Sequence, residues 1–170
     1  MRLIKSKYKD MYEQILLSIK TKDDKEIILE EVLSLKDTLF QENGIYFDSI
    51  LKTKVRSWIS ALLRDELDKS GLAKLDYFDG LYRELKKIKE VGLVIAFEPS
   101  QDFIDRMSEF LKQIIGSSVI LNITYDPYII GGAQIIYKGV YKDYSFKRIF
   151  EKEFFNFEVK LNQLLEKNEN

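Results

Sequence analysis

The groups in this chain whose spacing would suit metal ligation or acid–base chemistry are Asp102 with Asp105, and the run Asp65, Glu66 and Asp68. Both sets fall on the polar faces of amphipathic segments, where solvated charge is the expected reading. Ser145-x-Lys147 has the spacing of a serine nucleophile beside a lysine base. A serine between a strand and a helix, however, occupies the ordinary N-cap position, with its oxygen engaged by backbone N–H groups. Gly131-Gly132 invites comparison with a phosphate loop, but it lacks the Gly-x-x-x-x-Gly-Lys-Ser/Thr pattern and leads into a strand rather than a helix N-terminus. The chain has neither histidine nor cysteine, which removes disulfides, thiolate chemistry, the usual zinc sites and every mechanism that needs imidazole. The sequence therefore predicts no catalytic residue, no metal and no cofactor.

The elements that would position these groups can be read from periodicity. Of the 170 residues 45% are hydrophobic, enough for one domain or two small ones with a buried core. Tyr8, Tyr12, Ile15 and Ile19 make a first helical stripe, and Ile28, Val32, Leu35 and Leu39 a second that begins after Asp23-Asp24 and stops at Asn43-Gly44. Phe47, Leu51, Val55, Trp58, Leu62 and Leu63 describe one longer third helix closing at Ser70-Gly71. A fourth runs through Leu75, Phe78, Tyr82, Leu85 and Ile88. Short connections predict that these helices pack antiparallel. Around Val91-Gly92 the period changes to a continuous apolar run, predicting a strand over Leu93 to Phe97. Ser100 caps a helix through Phe103, Ile104, Met107, Phe110, Leu111 and Ile114 that ends at Gly116, and Val119 to Tyr125 alternates as a strand with one buried face. Asp126-Pro127 then makes a turn, with Asp126 accepting hydrogen bonds from it. Ala133 to Tyr137 and Val140 to Lys142 form a hairpin around Lys138-Gly139.

The last helix carries Phe150, Phe154, Phe157, Leu161 and Leu164 at gaps of four and three, the spacing at which helices pair. A helix of about twenty residues is about 30 Å long, whereas a three- or four-stranded sheet is roughly 15 to 20 Å wide. Its first two turns are expected to pack on the sheet. Its distal end, with Phe157, Leu161, Leu164 and Leu165, is expected to project or meet a partner. The fold class is thus α+β: an antiparallel helical bundle over residues 1–90, then a small α/β domain over 91–170 with a mixed sheet and a long C-terminal helix.

Asp126-Pro127-Tyr128-Ile129-Ile130-Gly131-Gly132, an apolar strand, and then Asp143-x-Ser145 with Arg148 in a basic helix resemble the C-terminal half of the delta (OSCP) subunit of F-type ATP synthases. Asp126, Pro127, Ile130, Gly131, Gly132, Asp143 and Ser145 carry that resemblance over about fifty residues. It implies a six-helix N-terminal domain, of which four helices are legible. It also implies a non-catalytic stator subunit that supports proton- or sodium-driven ATP synthesis. Partners follow from it: the bundle would bind the N-terminal helices of the head's alpha subunits, and the C-terminal domain would hold a b-type peripheral stalk subunit. Tyr8, Tyr12 and Ile15 lie beside the groove so implied, although that stripe reads first as bundle core. Phe157, Leu161, Leu164 and Leu165 would face the stalk. The resemblance places the subunit on the cytoplasmic side of the inner membrane, attached through other subunits.

Charge and hydropathy agree with that placement. With 27 basic and 28 acidic residues interspersed, nothing marks a surface for nucleic acid. No apolar run approaches the roughly 20 residues that span a bilayer. Two other readings stay open. One is the E-type stalk subunit of V-type and archaeal rotary ATPases, against which the helix breaks at Asn43-Gly44 and Ser70-Gly71 argue. The other is an unrelated enzyme using carboxylate, lysine and tyrosine chemistry, which converging carboxylates in a pocket would favour.

Overall fold

Thr21 and Asp24 start the longest helix of the bundle by bonding reciprocally. The Asp24 N–H donates to Thr21 Oγ1 at 3.1 Å, and Asp24 Oδ2 accepts from the Thr21 N–H at 3.1 Å. The computed structural model describes residues 12–40 and 46–168, with side chains except at 162 and 164–168. Its first lobe contains α1 (Glu13–Ser18), α2 (Lys22–Phe40), α3 (Phe47–Thr53), α4 (Ser57–Ser70) and α5 (Lys74–Lys87). The stripes predicted for α1, α2 and α5 form one core around Ile15, Ile19, Ile28, Val32, Leu35, Phe78 and Leu85. Tyr12, Tyr77 and Phe78 pack there edge to face at 5.2 and 5.3 Å, and Tyr12 Oη donates to the Tyr77 carbonyl at 3.0 Å. Gly71 closes α4 at φ 64°, the left-handed conformation of a glycine C-cap. Tyr8 and Asn43-Gly44 lie outside the described residues.

The single third helix is not found: α3 and α4 are separate, so five helices rather than four make up this lobe among the described residues. The break is at Arg56, which is extended at φ −55° and ψ 136°. Glu31 of α2 is only 7% exposed, and a buried carboxylate must be given donors. Arg56 supplies three of them to Glu31: its backbone N–H at 3.1 Å, Nε at 2.9 Å and Nη2 at 3.2 Å. Val55 stays buried across the gap, so the apolar stripe reads as continuous although the backbone is not.

Glu66 is a second buried carboxylate of the bundle, and it accepts a hydrogen bond from the Tyr77 hydroxyl. Burial holds its pKa above the ordinary value, with the Tyr77 hydrogen bond acting in the opposite direction. Folding therefore favours the protonated form. The stabilisation that this brings is complete below the unfolded pKa and is lost as pH rises through the higher folded one. Glu66→Gln, which cannot ionise, is expected to gain in relative stability over wild type as the pH rises from about 4 to about 8. Thermal melts of the two chains across that range check this; a difference that does not change with pH would refute it.

The second lobe is a four-stranded sheet in the order β2-β1-β3-β4. It comprises β1 (Lys89–Ile95), α6 (Gln101–Ile115), β2 (Val119–Tyr125), a 3₁₀ turn (Pro127–Ile129), β3 (Ala133–Tyr137), β4 (Val140–Asp143) and α7 (Phe146–Asn168). β1 and β2 run parallel through the α6 crossover, and β1/β3 and β3/β4 are antiparallel, so the fold is α+β with a mixed sheet. The hairpin turn falls at Lys138-Gly139, with φ 50° and 78°. Ser100 caps α6 by accepting from the Phe103 N–H at 3.3 Å. Phe103, Ile104, Met107 and Leu111 then cover Leu93, Ile95 and Leu121.

The first strand begins four residues before the predicted Leu93 and ends at Ile95. Its early start was masked by Glu90, whose charge is met by Lys25 of α2 at 2.9 Å. Nor does β2 bury one face only. Val119, Ile120 and Leu121 are all buried, because Ile120 enters the core of the bundle. The lobes join here: the Leu121 N–H donates to the Lys20 carbonyl at 2.9 Å, and Thr21 bridges Leu121 in parallel. Lys112 Nζ donates to the Leu17 and Ile19 carbonyls at 2.8 and 3.1 Å, and Lys20 pairs with Asp105 at 2.8 Å. Among the described residues no helix is long and apolar enough to cross a membrane.

Candidate partner-binding surface

The carboxylates do not converge. Asp102 pairs with Arg106 at 2.6 Å, whereas Asp105 takes Lys20 and the Gln101 amide, whose hydrogen bonds hold its pKa low. Asp65 pairs with Lys69, Glu66 with Tyr77, and Asp68 is exposed. Among the described residues no group of acidic side chains could hold a metal ion. Ser145 is buried, and its hydroxyl caps α7 by accepting from the Arg148 N–H at 3.3 Å.

The turn residues do come together, as two back-to-back turns at the base of α7. Asp126 Oδ1 accepts from the Tyr128 N–H at 2.9 Å, opening the 3₁₀ turn that Pro127 begins. The Ile130 N–H closes it on the Pro127 carbonyl at 3.1 Å. Across from it, Asp143 Oδ1 accepts from the Ser145 N–H at 2.8 Å. The Ser145 hydroxyl and N–H hold the Asp143 carboxyl below its ordinary pKa. Two backbone bonds join the turns: Phe146 N–H to the Gly131 carbonyl at 2.9 Å and Tyr144 N–H to the Ala133 carbonyl at 2.8 Å. Both glycines are needed by this apposition. A Cβ on Gly131 would lie 2.7 Å from the Phe146 ring, and one on Gly132, at φ 75°, would collide with the Tyr144 carbonyl. Ile130 adopts φ 69° and ψ −35°, a conformation that costs a β-branched residue roughly 1–3 kcal/mol.

α7 starts from this base. In its first two turns Phe146, Ile149 and Phe150 are each about half exposed, and the base of the helix packs on the 3₁₀ turn. The seam continues outward through Phe154, 68% exposed, then Phe157 and Leu161, with Phe155 and Val159 widening it. The side chains of Leu164 and Leu165 lie outside the described residues. An exposed apolar face of this kind on one helix is a candidate partner-binding surface. Tyr12 and Ile15 are 0% exposed, and in this packing a partner helix cannot reach them. Sequence reasoning missed Tyr128, Ile130 and Phe146 as surface residues; the gap of four from Phe146 to Phe150 was the available signal for the last.

A model of the family described as ATP synthase delta (OSCP) subunit matches residues 7–152. The chain is also similar to the ATP synthase subunit delta of Desulfatibacillum aliphaticivorans. The two are 27% identical in an alignment 146 residues long, and the match covers 71% of this chain and 78% of that protein.

Proposed function

Given that this chain belongs to the ATP synthase delta (OSCP) subunit family, we propose that it is the non-catalytic stator subunit linking the catalytic head to the peripheral stalk of an F-type synthase. In this reading residues 1–90 engage the N-terminal helices of the alpha subunits through the outer surface of the bundle beside α1. Residues 91–170 hold a b-type stalk subunit, on the cytoplasmic side of the membrane. The family match favours neither the E-type stalk subunit nor an unrelated enzyme. The observation that supports the proposal best is the seam of α7, which has helical spacing and is exposed at Phe150, Phe154, Phe157 and Leu161. Helices laid in apolar contact at two separate sites keep a stator attached, because engagement of one raises the effective concentration of the other.

Calorimetric titration of the full chain with the soluble part of the b-type subunit tests this. Micromolar binding or tighter is expected. Phe154→Ser with Phe157→Ser is expected to weaken it by at least about 30-fold, since two large apolar side chains would no longer be buried. Undiminished binding by a folded double variant would remove α7 from the interface.

A further inference from the structure

The sheet of the second lobe has little core of its own. Among the described residues Leu93, Ile95 and Leu121 are its buried cluster, with partly buried neighbours from α6, β2 and β3, whereas the core of the bundle draws on all five helices of that lobe. α6 covers one face of the sheet. Successive residues of a strand point to opposite faces, and on the other face part of the second layer comes from the bundle. Glu90 and Ile120 are in register there. Ile120 enters the bundle core, while Glu90 accepts from Lys25 Nζ of α2 at 2.9 Å and from the Asn122 amide at 3.4 Å.

The free edge of β2 is closed by the bundle as well. With Leu121 donating to the Lys20 carbonyl and Thr21 bridging Leu121 in parallel, the connector between α1 and α2 acts as a short fifth strand. Lys20 and Lys112 pin this connector to α6. A small sheet needs packed layers to persist, and here one layer and one edge belong to the other lobe. Among the described residues the bundle takes a single strand side chain, Ile120, into its core in return, so the dependence is unequal. We infer that α2 and the 19–21 connector act as a strap that holds the sheet folded, and that the base of α7, tied to the sheet at Gly131 and Ala133, is ordered only while the strap is closed. The boundary at residue 90 separates two lobes but not two folding units. The surface of α7 is thereby set in place only once the bundle has formed.

The test is amide hydrogen exchange, followed by NMR, in the full chain carrying Lys25→Met: a substitution in the bundle, read in the sheet. Methionine keeps the apolar stem and helix propensity of Lys25 and removes its bond to Glu90. Amides of β1, β3 and the first turn of α7 are expected to exchange about tenfold faster, with those of Leu35 in α2 and Leu81 in α5 within about twofold of wild type. Lys20→Gln, which breaks the pair with Asp105 but keeps the carbonyl on Leu121, touches no core residue and serves where Lys25→Met does not fold. The same pattern is expected from it at about threefold. Unchanged exchange in the sheet would mean that it stands on its own core, and would overturn the inference. An equal rise in sheet and bundle would overturn it too, since the two lobes would then open as one unit with neither dependent on the other.

Discussion

Alanine at position 132 is expected to destabilise the protein by about 3 kcal/mol or more. Two effects add. Gly132 sits at φ 75°, where a Cβ crowds its own backbone. The same Cβ would collide with the Tyr144 carbonyl and come to 3.1 Å from the Ser145 Cα. Both obstacles are backbone, so relief requires the two turns to part. That would break the Tyr144 to Ala133 and Phe146 to Gly131 hydrogen bonds. Gly71→Ala is the control: φ is 64° there too, but nothing lies within 4 Å of the added carbon, and a cost of about 1 kcal/mol is expected. Urea denaturation of the two variants measures the difference. If Gly132→Ala is no worse than Gly71→Ala, the close approach of the turns is not what this glycine serves. Faster amide exchange at the start of α7 should accompany the loss, since that helix is held at its base.

Lys112→Met is expected to cost about 2 kcal/mol, from the loss of charge-assisted hydrogen bonds to the Leu17 and Ile19 carbonyls. Those carbonyls end α1, which has too few residues to stand without tertiary support. Burial, followed by the nearby charge of Lys20, lowers the Lys112 pKa, as a cation drawn into the seam between the lobes requires. Methionine keeps the apolar stem, so the change isolates the ammonium. Denaturation should show the loss, and hydrogen exchange should quicken at Leu121, whose N–H donates to Lys20 next to the clamp. A change below about 0.5 kcal/mol would mean that water replaces the ammonium at no penalty.

What could be read from the sequence was local. Ser100 and Gly116 bracket α6, Lys138-Gly139 makes its hairpin, and Asp126 bonds to its own turn, because each signal and its partner lie within a few residues. The misread elements are decided from far away. Glu31 breaks the helix at Arg56 across 25 residues, and Lys25 lets Glu90 lie within β1 across 65. Asp24 was legible as a charge at a helix start, but its bond to Thr21 was not drawn, although Thr-x-x-Asp carries that signal. The stripes of α1 and α7 look alike in sequence, yet Tyr12 and Ile15 are buried while Phe154 and Phe157 are open. Periodicity tells which face of a helix is apolar; what covers that face depends on where the chain carries it.

The joint at Lys20 and Thr21 bears on stiffness. From the first N–H of α7 a bonded backbone path runs to the Gly131 carbonyl, through β3 and β1 to β2, and from Leu121 across to Lys20 between α1 and α2. Deflection of α7 therefore strains peptide hydrogen bonds at every crossing rather than sliding one apolar surface over another. Side-chain packing yields by small steps, whereas a ladder of such bonds resists until one of its rungs opens. The path makes the connection between the base of α7 and the bundle a spring of high stiffness and short travel, and most of the compliance is left to α7 beyond Phe150.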